Sequence, residues 1–133
     1  MKKDFQTWHN KKSQIDDIEK RPFFHEREIW FCHLGANVGF EQDGIGEDFL
    51  RPVLILRKFN VYMFWALPLT KPKKENNKKE IYYFKFSFGS GTESLAILSQ
   101  IRTVDARRLS YRIGEINQKD FVGLTEKLKA LLP

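Results

Sequence analysis

Leu50-Arg51-Pro52-Val53-Leu54-Ile55-Leu56 sets a cation and a proline directly before an aliphatic run. The run is too short for a helix of ordinary length and has the aliphatic, partly β-branched content of a buried strand. Pro52 fixes its own φ and drives Arg51 into an extended conformation, so the guanidinium leaves the chain in a narrow range of directions. A glycine-containing loop, residues 37–49, runs up to this point. Arg51 therefore stands where a loop gives way to rigid structure, a common place for functional groups.

Working outward, strands over 53–59 and 61–69 join through Lys58-Phe59-Asn60, with Asn60 as the turn residue, and form an antiparallel hairpin. Residues 27–34 alternate Ile29, Phe31 and His33 against Trp30, Cys32 and Leu34, a first strand with apolar contacts on both faces. Residues 81–88 place Tyr82, Phe84, Phe86 and Phe88 on one face of another strand, and Ser94–Ser99 reads as a short one. Ala106–Leu109 reads as a helical turn or bend before extended residues 110–113. Asn117 caps a terminal helix with Asp120 at its third position and Phe121, Leu124, Leu128 and Leu131 on one stripe. At the other end, Phe5, Trp8, Ile15 and Ile18 mark an amphipathic helix over 4–20, with Asp4 as cap and Arg21-Pro22 as stop. Five or six strands without helical crossovers predict a mainly β fold with flanking helices, its strongly curved sheet forming a small barrel.

At 133 residues the chain is one domain by length, with no repeat or low-complexity linker. Its 23 Lys and Arg outnumber 17 Asp and Glu, and positives cluster at Lys71-Pro72-Lys73-Lys74, Lys78-Lys79 and Arg102, Arg107, Arg108, Arg112. A formal charge of +6 favours an anionic partner, nucleic acid ahead of a membrane surface. The single Cys32 excludes an internal disulfide and reads as a buried structural thiol. No apolar run has signal-peptide or transmembrane character, so a cytoplasmic protein without membrane contact is expected. His9, His25 and His33 lie too far apart for a compact metal motif, and Gly44-Ile45-Gly46 lacks the lysine of a phosphate loop. No metal and no cofactor are expected.

The hairpin brings Arg51 and Thr70 to the same end of the sheet. A guanidinium binds phosphate in bidentate geometry and offsets its gain of charge, while a threonine hydroxyl donates to a nonbridging oxygen. Glu41 can accept a proton if its pKa is raised, against the plainer reading of Glu41, Asp43, Glu47 and Asp48 as solvated loop charges. Gln100–Leu109 admits two readings: Asp105 paired with a neighbouring arginine at a bend, or Arg102 or Arg108 on a nucleic-acid backbone.

In order along the chain, Glu28-Ile29-Trp30-Phe31, Gly39-Phe40-Glu41-Gln42, Arg51-Pro52-Val53-Leu54-Ile55-Leu56, Pro68-Leu69-Thr70 and Ser99-Gln100-Ile101-Arg102-Thr103-Val104-Asp105 with Arg107-Arg108-Leu109 resemble the motifs of the MazF/PemK family of type II toxins. The resemblance spans residues 27–132. It implies an SH3-like barrel, a homodimer, and a sequence-selective, metal-independent endoribonuclease cutting single-stranded RNA, messenger RNA included, and restrained by a cognate antitoxin. It further implies Arg51 as the catalytic arginine, Thr70 as the phosphate contact and Glu41 as the base. Gln42, Lys71, Ser99, Gln100, Arg102 and Arg108 fall to substrate binding. Residues 1–24 become an added N-terminal helical extension and 25–133 the MazF/PemK-like barrel domain.

The chain departs from the family pattern in its lengthened loop 43–50, in Ser99 where many members carry aspartate, in Lys71 after Thr70, and in the N-terminal arm. The alternatives are an RNA-binding homologue with weakened catalysis, a gyrase-directed toxin of the same fold, and a structural interaction barrel.

Overall fold

The computed structural model describes residues 3–17, 21–37, 44, 49–72 and 81–133. Helix α1, Phe5–Asp16, precedes strands β1 (Glu28–His33), β2 (Leu50–Lys58), β3 (Met63–Thr70), β4 (Tyr83–Phe88), β5 (Thr92–Ile97), β6 (Arg102–Asp105) and β7 (Leu109–Glu115), and helix α2, Gln118–Lys129, closes the chain. Short 3₁₀ turns at Leu98–Gln100 and Ala106–Arg108 flank β6. The expected residue Ile18 of the first helix, the loop glycine-to-glutamine motif 39–42 and most of the lysine-rich loop lie outside the described residues.

Side-chain chemistry accounts for the boundaries. The Asp4 carboxylate accepts from the Thr7 N–H at 3.0 Å and starts α1. Asn117 accepts from the Asp120 N–H at 2.8 Å and starts α2, with the Asp120 charge inside its first turn. Asn60 Oδ1 accepts from the backbone N–H groups of Tyr62 and Met63 at 2.8 and 2.9 Å, which turns β2 into β3.

All strand pairs are antiparallel, in the order β4-β5-β3-β2-β1-β7, with β6 also on β3. The N-terminal half of β3 pairs with β6, Phe64 opposite Val104 and Ala66 opposite Arg102; its end pairs with β5, Thr70 opposite Leu95. The helices flank the sheet as expected, but the SH3-like curved small barrel is not formed. The sheet path has two ends, β4 and β7, which do not pair with each other, so the sheet is open rather than closed. Between those ends the contact is made by side chains: a Cβ on Gly114 of β7 would lie 2.8 Å from the Phe88 ring of β4. Strand β6 is a further difference, because its four residues bury only Val104 and carry little apolar pattern.

Two cores occupy the two faces. Trp30, Cys32, Val53, Ile55, Phe64, Ala66 and Val104 pack on one with Phe24. Ile29, Leu54, Leu67, Leu69, Phe86, Ala96 and Leu98 pack on the other beneath α2, whose Leu124 is fully buried. The predicted stripe of α2 and the aromatic face of β4 meet there, Phe121 and Leu128 against the same cluster as Phe84 and Phe88. A third cluster, Trp8, Ile15, Ala36 and Phe49, fastens α1 to the end of the sheet where β2 begins.

Candidate functional site

Val53 of β2 pairs with Pro68 of β3. Two residues further toward the same end of each strand stand Arg51 and Thr70, both half-buried and, by the two-residue alternation of a strand, on the same face as Val53 and Pro68. Arg51 Nη1 donates to the carbonyl of Leu69, the neighbour of Thr70, at 3.2 Å. The guanidinium is thereby steered toward the end of β3. On its other side Arg51 pairs with Cys32 of β1.

Cys32 leads to two more cations. The thiol is fully buried, and burial pushes its pKa up to about 12 even though Arg108 and Arg102 both act to lower it. It stays a neutral packing group, as the sequence predicts. Arg102 lies on β6 opposite Ala66, a residue of the Cys32 face. Arg108 ends the 3₁₀ turn after β6, donates from Nη1 to the His33 carbonyl at 3.3 Å, and sits 5.5 Å over the Trp8 ring. Its charge is disfavoured first by burial and then by Arg102, which lowers its pKa. Arg102 and Arg108 thus both act on one buried thiol, whose strand neighbour on β2 is Arg51.

Asp105 forms the expected pair with an arginine neighbour, Arg107. Its carboxylate accepts from Arg107 Nε and Nη2, both at 3.0 Å, and from the Arg107 N–H at 2.9 Å. The Arg107 hydrogen bond is the largest influence on it and holds its pKa below the usual carboxylate range, against the opposing effect of burial. Arg107 also donates to the Asp16 carbonyl at 2.8 Å and so ties α1 to this turn.

The remaining predicted residues fall elsewhere. Lys71 is exposed just past Thr70. Ser99, exposed, and Gln100, half-buried, occupy the turn between β5 and β6, beside the stretch of β3 where it changes partner rather than at Thr70. Glu41 and Gln42 lie outside the described residues. Among the described residues no three His, Cys, Asp or Glu side chains gather as a metal site.

Sequence reasoning missed the part that α1 plays here. Trp8 is 6% exposed, packs on Phe49 at 5.2 Å between ring centroids, and presses on Gly35, where a Cβ would lie 1.9 Å from the indole. Gly35 has φ +81°, and Phe49 itself takes a left-handed φ of +54° immediately before β2. The spacing of Phe5, Trp8, Ile15 and Ile18 on one helical face, with Phe23 and Phe24 after it, signalled that the arm docks on the body but not where.

This arrangement coincides with a family match. Residues 25–132 match the model of the PemK-like, MazF-like toxins of type II toxin-antitoxin systems, and the chain belongs to that family. Among solved structures it is similar to MazF of Deinococcus radiodurans, with 18% identity over 85% of this chain and 97% of that one and a TM-score of 0.62. It is also similar to the Mycobacterium tuberculosis toxin MazF-mt6, with 18% identity over 78% and 94% of the two chains and a TM-score of 0.57. A third similar structure is a mycobacterial endoribonuclease in complex with its cognate antitoxin, at 16% identity over 84% and 98% and a TM-score of 0.55. Comparison with curated proteins gives no match. The family match begins at residue 25, after α1.

Proposed function

We propose that this toxin is a sequence-selective endoribonuclease for single-stranded RNA, messenger RNA included, and that a cognate antitoxin restrains it in the cytoplasm. The observation that carries the reading is the register of β2 on β3, which sets Arg51 and Thr70 at one end of adjacent strands. In the proposed reaction the 2′-oxygen of the RNA forms the new bond to phosphorus and the bond to the 5′-oxygen breaks, leaving a cyclic phosphate and a free 5′-hydroxyl. The nucleophile belongs to the substrate, so the protein supplies charge and proton transfer and needs no metal for this route. Arg51 stabilises the phosphorane charge, since a guanidinium is too weak an acid to act chiefly by giving up its proton. Thr70 donates to a nonbridging oxygen, Glu41 takes the 2′-hydroxyl proton, and the departing 5′-oxygen takes a proton from water to become the 5′-hydroxyl.

Arg102 and Arg108 extend the cationic surface that holds flanking phosphates, with Gln42, Lys71, Ser99 and Gln100 as further substrate contacts. The same cationic surface suits an acidic, disordered segment of an antitoxin that folds on binding. Residues 25–133 form the toxin body and 1–24 an added arm. The working unit is a homodimer, for which exposed apolar side chains beside α2 provide the surface: Phe59, Trp65, Ile101 and Leu132.

The test is incubation of the pure protein with mixed-sequence single-stranded RNA in chelator, with product ends mapped. Wild type is expected to yield cyclic-phosphate and 5′-hydroxyl ends. Arg51→Ala is expected to lose about 10²–10³-fold in rate, and Thr70→Ala about tenfold to a hundredfold. Equal residual cleavage by all three proteins would remove the site, and binding without product by wild type would make the protein an RNA binder.

A further inference from the structure

Between α1 and the turn that carries Arg108 lies a cleft of about 320 Å³, lined by His9, Lys12 and Asp16 from the helix and by Asp105, Arg107 and Arg108 from the turn. It is the size of a small ligand site, room for one nucleotide rather than an oligomer. Its position follows from the packing of α1. Trp8 rests on Phe49, two residues before Arg51, and Arg108 lies over the same indole while donating to the carbonyl of His33, which pairs with Leu50. Arg108 therefore joins the cleft to the strand end that carries Arg51, whereas Asp105, opposite Met63, lies toward the other end of β3 from Thr70. Arg108 is common to both places.

The charges in the cleft do not cancel. The two carboxylates are met by two arginines: Asp105 by Arg107 and Arg21, at 3.0 and 3.6 Å, and Asp16 by Arg107 at 3.6 Å. That leaves Arg108, half-buried and repelled by Arg102, together with the exposed cation Lys12 and the exposed imidazole of His9 one helical turn away. A half-buried guanidinium facing a second guanidinium is relieved by an anion. Ile15 is the sole aliphatic side chain of the lining and is itself buried in the α1 cluster, so the cleft offers no apolar anchor of the kind a docked peptide requires. A phosphodiester fits what remains.

The geometry points to this cleft as a second RNA subsite, formed by the N-terminal arm, in which Lys12, His9 and Arg108 hold the phosphate of a nucleotide flanking the one at Arg51. The inference rests on the RNA reading of the Arg51 corner and deepens it. The arm, lying before the family-matched residues, becomes part of the substrate surface of this particular toxin, and it lengthens the stretch of RNA that the protein reads.

Binding is measured on single-stranded RNA carrying 2′-O-methyl groups, which cannot be cut, so that the result stands apart from cleavage. The proteins compared are wild type, the double variant His9→Ala/Lys12→Ala, and Lys119→Ala on α2 as a charge-matched control. The substituted side chains are exposed, and an unchanged melting midpoint confirms an intact fold. The double variant is expected to bind about tenfold more weakly, with a dependence of log Kd on log salt shallower by about one unit; on cleavable RNA its KM rises and its kcat holds. Lys119→Ala is expected to bind like wild type. An unchanged Kd and salt slope in the double variant, with wild type binding RNA, would overturn the subsite and leave the Arg51 reading intact. Loss of affinity for polyglutamate but not for RNA would overturn it in favour of a protein-docking cleft. Failure of wild type to bind any RNA would overturn both readings.

Discussion

At the scale of the residue, Asp105 shows how one carboxylate organises a turn. It accepts from the backbone N–H of Arg107 and, through both oxygens, from its guanidinium, and Arg107 passes the connection on to Asp16 at the end of α1. Because the native pKa of Asp105 is depressed, chiefly by Arg107, the folded state binds its proton less readily than the unfolded chain. The resulting stability is present above the unfolded value of about 4 and is lost as pH falls through the lower native value. Asp105→Asn is therefore expected to cost about 1 kcal/mol at neutral pH and to show a flatter fall in stability between pH 5 and 3 than wild type, read by urea unfolding across that range. Parallel pH profiles for the two proteins would sink the assignment. The pairing of Asp105 with a neighbouring arginine was legible because the partner is two residues away. The seat of Arg108 under Trp8 was not, since nothing local in Ala106-Arg107-Arg108 points to residue 8.

At the scale of the element, α1 depends on one indole. The sequence pattern placed Phe5, Trp8 and Ile15 on one helical face, and the structure buries Trp8 and Ile15 but leaves Phe5 52% exposed. The difference is that the receiving surface is narrow, a pocket of Ala36, Phe49 and the bare backbone of Gly35. Gly35 is doubly required, by its positive φ and by the indole lying where a Cβ would go. Trp8→Ala is expected to lower stability by about 3 kcal/mol in a single cooperative transition, and Gly35→Ala to lower it by displacing the same ring. Thermal and urea unfolding followed by far-ultraviolet ellipticity measure both. An early loss of helical signal with an unmoved main transition would mean that the arm frays independently of the body. Strand β6 eluded the sequence for a related reason: its place is set by backbone pairing with Met63–Ala66, and Arg102, Thr103 and Asp105 give no apolar alternation.

At the scale of the molecule, the strands were readable one by one and their closure was not. Alternation along each strand reports which face is buried, and it correctly divided Ile29 from Trp30 and gathered Phe84, Phe86 and Phe88. Whether the first and last strands of a path hydrogen-bond to each other is a property of relative position, which alternation does not encode. Here Phe88 fills the space over Gly114, and the edges β4 and β7 meet through that ring instead of a ladder. The open architecture also leaves a groove of about 820 Å³ beside α2, lined by Leu56, Trp65, Ile101, Phe121, Leu128 and Leu132. Trp65 is 41% exposed there with its ring edge-on to Phe59 at 5.0 Å, a large apolar surface for a monomer to show to water. If two copies bury this groove against each other, a charge at its centre opposes association through desolvation while barely touching the folded monomer. Trp65→Lys is accordingly expected to sediment as a monomer at concentrations where wild type is a dimer, with unchanged far-ultraviolet ellipticity. A dimer of undiminished stability in the variant would move the self-association surface elsewhere, and a wild type that remains monomeric throughout would remove the homodimer from the proposed mechanism.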